Sequence, residues 1–113
     1  MNNTRTLLYC IINEMGIPPS LVGVDYLEDA ILYTRENGRT SLSKTVFPAI
    51  CKKHHVSTSL ARKSMAYALK HADKQVVINM FHNSLFNKNG NIKIGDFIFG
   101  VAKYIEIYEK THQ

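Results

Sequence analysis

The chain predicts an all-α domain of six helices that contains a helix-turn-helix. Three observations predict it. Apolar residues recur at steps of three and four in every long segment, while no run alternates with the period of two that a half-buried strand requires. Helix punctuation falls where such runs stop: Gly16 before Ile17-Pro18-Pro19, and Asn37-Gly38. Two short helical patterns then meet at a tight turn within residues 41–73, where the positive charge also collects.

In chain order, residues 1–5 are expected as an N-terminal tail and 6–113 as the domain. Thr4 is a candidate cap for a first helix whose apolar face is Leu7, Leu8, Ile11, Ile12 and Met15. Ser20 or Gly23 opens the second, with Leu27, Ala30, Ile31 and Thr34 inward and Tyr26 and Tyr33 beside them. Its acids Asp25, Glu28 and Asp29 lie near the positive end of the helix dipole. Ser41 or Ser43 starts a third helix on Leu42, Val46, Phe47 and Ile50. Pro48 lies inside it, and a proline there bends a helix or marks its first turn.

Ser57 and Thr58 are side-chain caps for the fourth helix. Its inner face is Ala61, Met65, Ala68, Leu69 and Ala72, whose alanines are small enough for another helix to approach closely. Its outer face is Ser59, Lys63, Ala66, Tyr67 and Lys70, with Arg62 at the flank. A short helix over 75–83 follows, with Val76, Val77, Met80 and Phe81 inward. Asn87-Lys88-Asn89-Gly90-Asn91 then reads as a turn or small wing. The last helix, about 93–109, carries Phe97, Ile98, Val101, Ala102, Ile105 and Tyr108 on its stripe. Phe99, Tyr104 and Ile107 lie beside or off that stripe, a candidate dimer contact.

Charge selects the partner. Residues 39–74 hold eight basic residues against Asp73, a local charge of +7. Residues 1–38 sum to −3 and 75–113 to +1, giving the net +5. Basic charge gathered on one helical motif is the electrostatic footprint of a phosphate backbone partner. No apolar run approaches the roughly 18–20 residues of a membrane span, and no signal peptide opens the chain. Cys10 and Cys51 form no framework and read as reduced, half-buried thiols of a cytoplasmic protein acting at the nucleoid.

Cys51-x-x-His54, with His55 adjacent, offers two ligands one turn apart. Zinc asks for four, and Cys10, His71 and His82 have no matching spacing, so neither metal nor cofactor is expected. No carboxylate pair, nucleophile elbow or phosphate loop marks an enzyme. The expected activity is transcription regulation, with a recognition helix over about 58–72 lying in the major groove of double-stranded DNA. Ser59, Arg62, Lys63, Ala66 and Tyr67 are the candidate base readers. Lys44, Lys52, Lys53, Ser57, Thr58 and Lys70 are the candidate phosphate contacts. The alternative is an interaction protein that pairs with another regulator and modulates it, or a DNA binder without preference.

Several stretches carry a family resemblance. Ile11, Glu14, Met15, Gly16, Ile17 and Pro18 match an Ile-x-x-Glu-(Ile/Met)-Gly-(Val/Ile)-Pro opening. Gly23, Tyr26, Leu27, Ala30 and Ile31 match Gly-x-x-Tyr-Leu-x-x-Ala-Ile. Ser43, Lys44, Val46, Phe47, Pro48, Ile50, Lys52 and Lys53 match a (Thr/Ser)-Lys-x-(Leu/Val)-(Tyr/Phe)-Pro-x-Ile-Ala-Lys-Lys run. Phe97, Ile98, Val101 and Ala102 match the last helix. Together they resemble the C-terminal DNA-binding effector domain of the stage-zero sporulation protein A family, the sporulation response regulators of endospore-forming Bacillota.

The resemblance implies six helices, a fourth helix that reads short DNA boxes, two copies binding side by side, and an N-terminal receiver domain in full-length members. Within 113 residues no receiver fits. The chain is therefore expected to be a stand-alone effector domain or a fragment, Met1 favouring the former. The family's reading helix presents Arg-x-Glu-Arg-x-x-Arg followed by histidine. Aligned on Ser59, the corresponding residues here are Leu60, Arg62, Lys63, Ala66 and Tyr67. A changed base preference is expected.

Overall fold

A computed structural model describes residues 3–112, except the side chains of residues 82 and 83. Among the described residues six α-helices follow one another: α1 (Asn3–Glu14), α2 (Val22–Asn37), α3 (Phe47–His54), α4 (Thr58–Leu69), α5 (Lys74–Phe81) and α6 (Ile94–Thr111). A π-helical turn, Leu42–Val46, leads into α3, and a 3-10 turn, His82–Leu85, leaves α5. The fold is all-α, and the described residues contain no strand beyond a single antiparallel bridge between Phe86 and Ile92.

The centre is α2, which packs against α4 on one side and α6 on another. Leu8, Ile12 and Met15 of the α1 region, Leu27 and Ile31 of α2, Phe47, Met65, and Phe97, Ile98 and Ile105 of α6 are all essentially solvent-free. These are the apolar positions that helical spacing selects. Removing such area from water, at about 25 cal/mol per Å2, is the main favourable term of folding. Gly23 lets α2 and α4 touch backbone to backbone: a Cβ built there would lie 3.0 Å from Met65 N, 2.5 Å from Ser64 C and nearer still to the Ser64 carbonyl oxygen. Only a residue without a side chain fits at that crossing.

The borders follow local chemistry. Gly16, with φ +80°, ends α1; its N–H donates to Asn13 O at 3.0 Å. Gly38 ends α2, donating to Thr34 O at 2.8 Å. Between them α2 starts at Val22 after Leu21, which makes no side-chain cap. Neither Ser20 nor Gly23 serves as the cap residue. Ser41 Oγ accepts from Lys44 N at 3.1 Å and opens the π turn. Pro48 then falls in the first turn of α3, where a missing N–H costs nothing. Asp73 Oδ1 accepts from Gln75 N at 2.9 Å to cap α5, and Asp73 N donates to Met15 O at 2.7 Å, joining α5 to the end of α1.

Four further sequence expectations need correction. Residues 3–5 of the expected tail are helical; Met1 and Asn2 lie outside the described residues. The Thr4 hydroxyl donates to Glu109 Oε2 of α6 at 2.6 Å instead of serving as the expected cap, and Arg35 of α2 joins the same carboxylate. This tertiary tie holds the first turn in place. Tyr108 was expected on the inner stripe of α6, but it is exposed and stacks on His112 with ring centroids 3.9 Å apart. The core ends at Ile105, one turn short of it. Cys10, expected half-buried, is exposed because it falls beside the Leu8–Ile12 face of α1; Cys51 is half-buried.

Candidate nucleic-acid interface

Helices α3 and α4 meet at a three-residue turn, His55 to Ser57. His55 adopts a left-handed conformation (φ 56°), and Val56 N donates to Cys51 O at 3.2 Å. Ser57 Oγ accepts from Leu60 N at 3.1 Å and caps α4. Ala61, Met65, Ala68 and Leu69 are buried against the body of the domain, and Ala72 beyond the helix end is half-buried. The outer face is thereby turned to solvent. Ser59, Lys63, Tyr67 and Lys70 are exposed, and Tyr67 meets His71 edge-on at 4.9 Å. Ala66 is half-buried and offers a groove little more than one methyl.

Arg62 is drawn aside. Its guanidinium carbon stands 4.4 Å from the centroid of the Phe47 ring, a cation–π contact across the motif. Among the expected phosphate contacts, Lys44, Lys52 and Lys70 are exposed and make no ion pair among the described residues. Ser57 spends its acceptor on the cap, while Thr58 Oγ1 lies 3.8 Å from Cys51 Sγ. Lys53 is different. Its Nζ sits 3.1 Å from Asp29 Oδ1, so part of the motif's positive charge is already matched from within.

Sequence patterns did not disclose Asp29 as a hub. His54 Nε2 donates to Asp29 Oδ2 at 2.6 Å, and Arg5 reaches Oδ1 at 3.4 Å. The His54 ring also rests against Tyr26, with centroids 4.8 Å apart. Burial pushes the Asp29 carboxyl up, but hydrogen bonds from His54, Lys53 and Arg5 outweigh it and hold the group below its ordinary value. Burial raises its neighbour Glu28, against the pull of Arg5. A carboxylate with a lowered folded pKa stabilises the fold above its unfolded value near 3.8, and that contribution disappears as pH falls through the folded value. Asp29→Asn is therefore expected to cost about 1–2 kcal/mol at neutral pH and to lose less stability than the parent on acidification below about pH 4. Urea unfolding at pH 7 and pH 3 checks both; equal losses in the two proteins on acidification would remove Asp29 as the responsible group.

Of the expected turn or small wing, the structure forms a tight turn. Phe86 pairs with Ile92, Asn87 N donates to Asn91 O at 2.8 Å, and Asn87 Oδ1 accepts from Asn89 N and Asn91 N at 2.9 and 3.0 Å. A shallow cleft lined by Ala66, Lys70, Lys74, Gly90 and Asn91 separates it from the C-terminal half of α4. The turn signal was plain in the asparagines and Gly90; its place beside α4 depends on tertiary packing that no local pattern encodes.

The expected dimer residues are placed unevenly. Phe99 lies under Arg39, whose guanidinium carbon is 4.8 Å from the ring centroid. Tyr104 packs edge-on against Phe81 at 5.6 Å. Both are therefore half-buried within the chain, while Ile107 remains 52% exposed. Among the described residues, no three His, Cys, Asp or Glu side chains gather as metal ligands, and no helix is long and apolar enough to cross a membrane. In comparison with known families, residues 8–105 match the model described as sporulation initiation factor Spo0A C terminal.

Proposed function

The chain belongs to the family of the C-terminal domain of sporulation initiation factor Spo0A, a DNA-binding effector domain, and from that premise we propose a sequence-specific transcription regulator that seats α4 in the major groove. The observation that carries this reading is the outer face of α4: Ser59, Lys63, Tyr67 and Lys70 are exposed together, and no acid interrupts the helix from Thr58 to Leu69. Lys63, Ser59 and Tyr67 read base edges, and Ala66 adds a methyl contact. Arg62 reaches its base from the support of the Phe47 ring. Lys44, Lys52, Lys70, Ser57 and Thr58 hold the phosphates, which fix register without carrying sequence information. Lys53 contributes less than the other lysines because Asp29 already engages it.

With Leu60 and Ala66 where the family resemblance has arginines, the preferred sequence differs from that of the typical family box. Phe99 and Tyr104 are occupied within the chain, so of the three α6 candidates only Ile107 is left free for pairing with a second copy or another regulator. That balance favours the DNA reading over the pairing one.

Selection of duplexes from a randomised library at moderate salt is expected to enrich one motif. Lys63→Ala is expected to weaken binding and relax preference at one position. Lys52→Ala is expected to weaken all sequences alike and to lower the slope of log affinity against log salt by about one. Uniform loss in both variants would overturn the division of roles, and retention without any motif would leave a backbone binder.

A further inference from the structure

One side chain of α4 is at odds with the helix it belongs to. Leu60 is the third residue of the helix, with its N–H held by Ser57 Oγ, yet the residue is 50% exposed. In an amphipathic helix a leucine belongs on the inner face. Here Ala61 takes that face and is fully buried. Leu60, Lys63 and Tyr67 follow at i, i+3 and i+7, so they line one stripe of the exposed surface. Arg62, the arginine nearest this turn, is drawn over the Phe47 ring. The first turn of α4 thus offers solvent an isobutyl group between a hydroxyl and an ammonium.

We propose that Leu60 is a specificity-determining residue that packs on the 5-methyl group of a thymine and makes this chain require a T·A pair at that step. This rests on the groove-reading role of α4 given above. In a helix-turn-helix the N-terminal residues of the second helix reach the base edges. Along the major-groove edge thymine alone presents an apolar group; the other bases present donors and acceptors. A leucine rewards thymine by burying its methyl. It disfavours guanine, cytosine and adenine by covering polar edges that it cannot satisfy. Lys63 and Tyr67, further along the stripe, keep hydrogen-bonding capacity for the neighbouring steps.

The test uses the full chain and its own selected duplex. Each thymine is replaced in turn by deoxyuridine, which removes only the methyl group. One replacement is expected to weaken binding about four-fold, the size of one buried methyl group, and the same replacement should leave Leu60→Ala unaffected. Selection with Leu60→Arg is expected to move the preferred base at that step from thymine to guanine. Because Leu60 is half in solvent, both variants should keep the parent's unfolding midpoint, which urea titration checks. A selected motif in which no deoxyuridine replacement matters would overturn the inference and leave the DNA reading intact. Unchanged affinity and motif in Leu60→Arg would place the stripe outside the groove, open to a protein partner, and would overturn it too. Failure to retain any DNA would overturn the groove reading itself, and the inference with it.

Discussion

Gly23→Ala is expected to lower stability by about 3 kcal/mol or more, at or beyond the upper end of ordinary overpacking. The added methyl would meet the backbone of Ser64 and Met65, not the movable tip of a side chain. Backbone within a helix cannot step aside alone. Either α2 or α4 must shift as a unit, and each is clamped by buried neighbours, Leu27 and Ile31 on one and Met65 and Leu69 on the other. The expected reading is a large drop in urea midpoint with little change in slope. Gly38→Ala is the comparison. No atom lies within 4 Å of a Cβ there, so its cost comes from the backbone alone, where φ 78° with ψ 176° is a region essentially reserved for glycine, and should be about 1–3 kcal/mol. Equal losses at the two glycines would mean that the helix crossing is not the tight point.

Phe47→Ala is expected to cost about 3–5 kcal/mol. The ring is fully buried at the start of α3, so truncation removes transfer energy and leaves a cavity under the helix-turn-helix. The same ring supports Arg62. Phe47→Leu separates the two roles, because it keeps most of the apolar volume at a cost of about 1 kcal/mol but removes the aromatic face. If the ring positions Arg62, Phe47→Leu changes the selected DNA motif at one step while leaving most of the stability. An unchanged motif would reduce Phe47 to a core residue.

These two residues show what was legible in the sequence and what was not. The apolar stripe of α4 was readable from Ala61, Met65, Ala68 and Leu69, because a helical period is a local property. Helix ends were readable at Gly16, Gly38 and Ser57, where one residue's conformational preference or side-chain acceptor decides the matter. Partnerships between polar residues were not readable. Asp29 joins residues 24 and 25 positions away, and Arg62 finds a ring 15 positions earlier. No periodicity states which exposed charge meets which other group. Lys53 and Lys52 are adjacent and look equivalent as letters, yet only Lys53 faces α2. The same limit explains Phe99 and Tyr104. Their surplus apolar character was plain, while the Arg39 and Phe81 side chains that cover them come from distant segments.

The tie of Thr4 and Arg35 to Glu109 has a consequence for how the chain is made. Its first and last members stand 105 residues apart. Synthesis runs from the N-terminus, so α1 and α2 emerge long before α6 supplies Phe97, Ile98, Val101 and Ile105. Until then the buried faces of Leu8, Ile12, Leu27 and Ile31 are incompletely covered. A helix-turn-helix that has already left the ribosome then rests on an α2 whose other side is still open. The last helix therefore acts as the closing member of the fold. A chain released before residue 97 would carry the basic motif together with open apolar faces, a species destined for chaperones or aggregation and not for DNA.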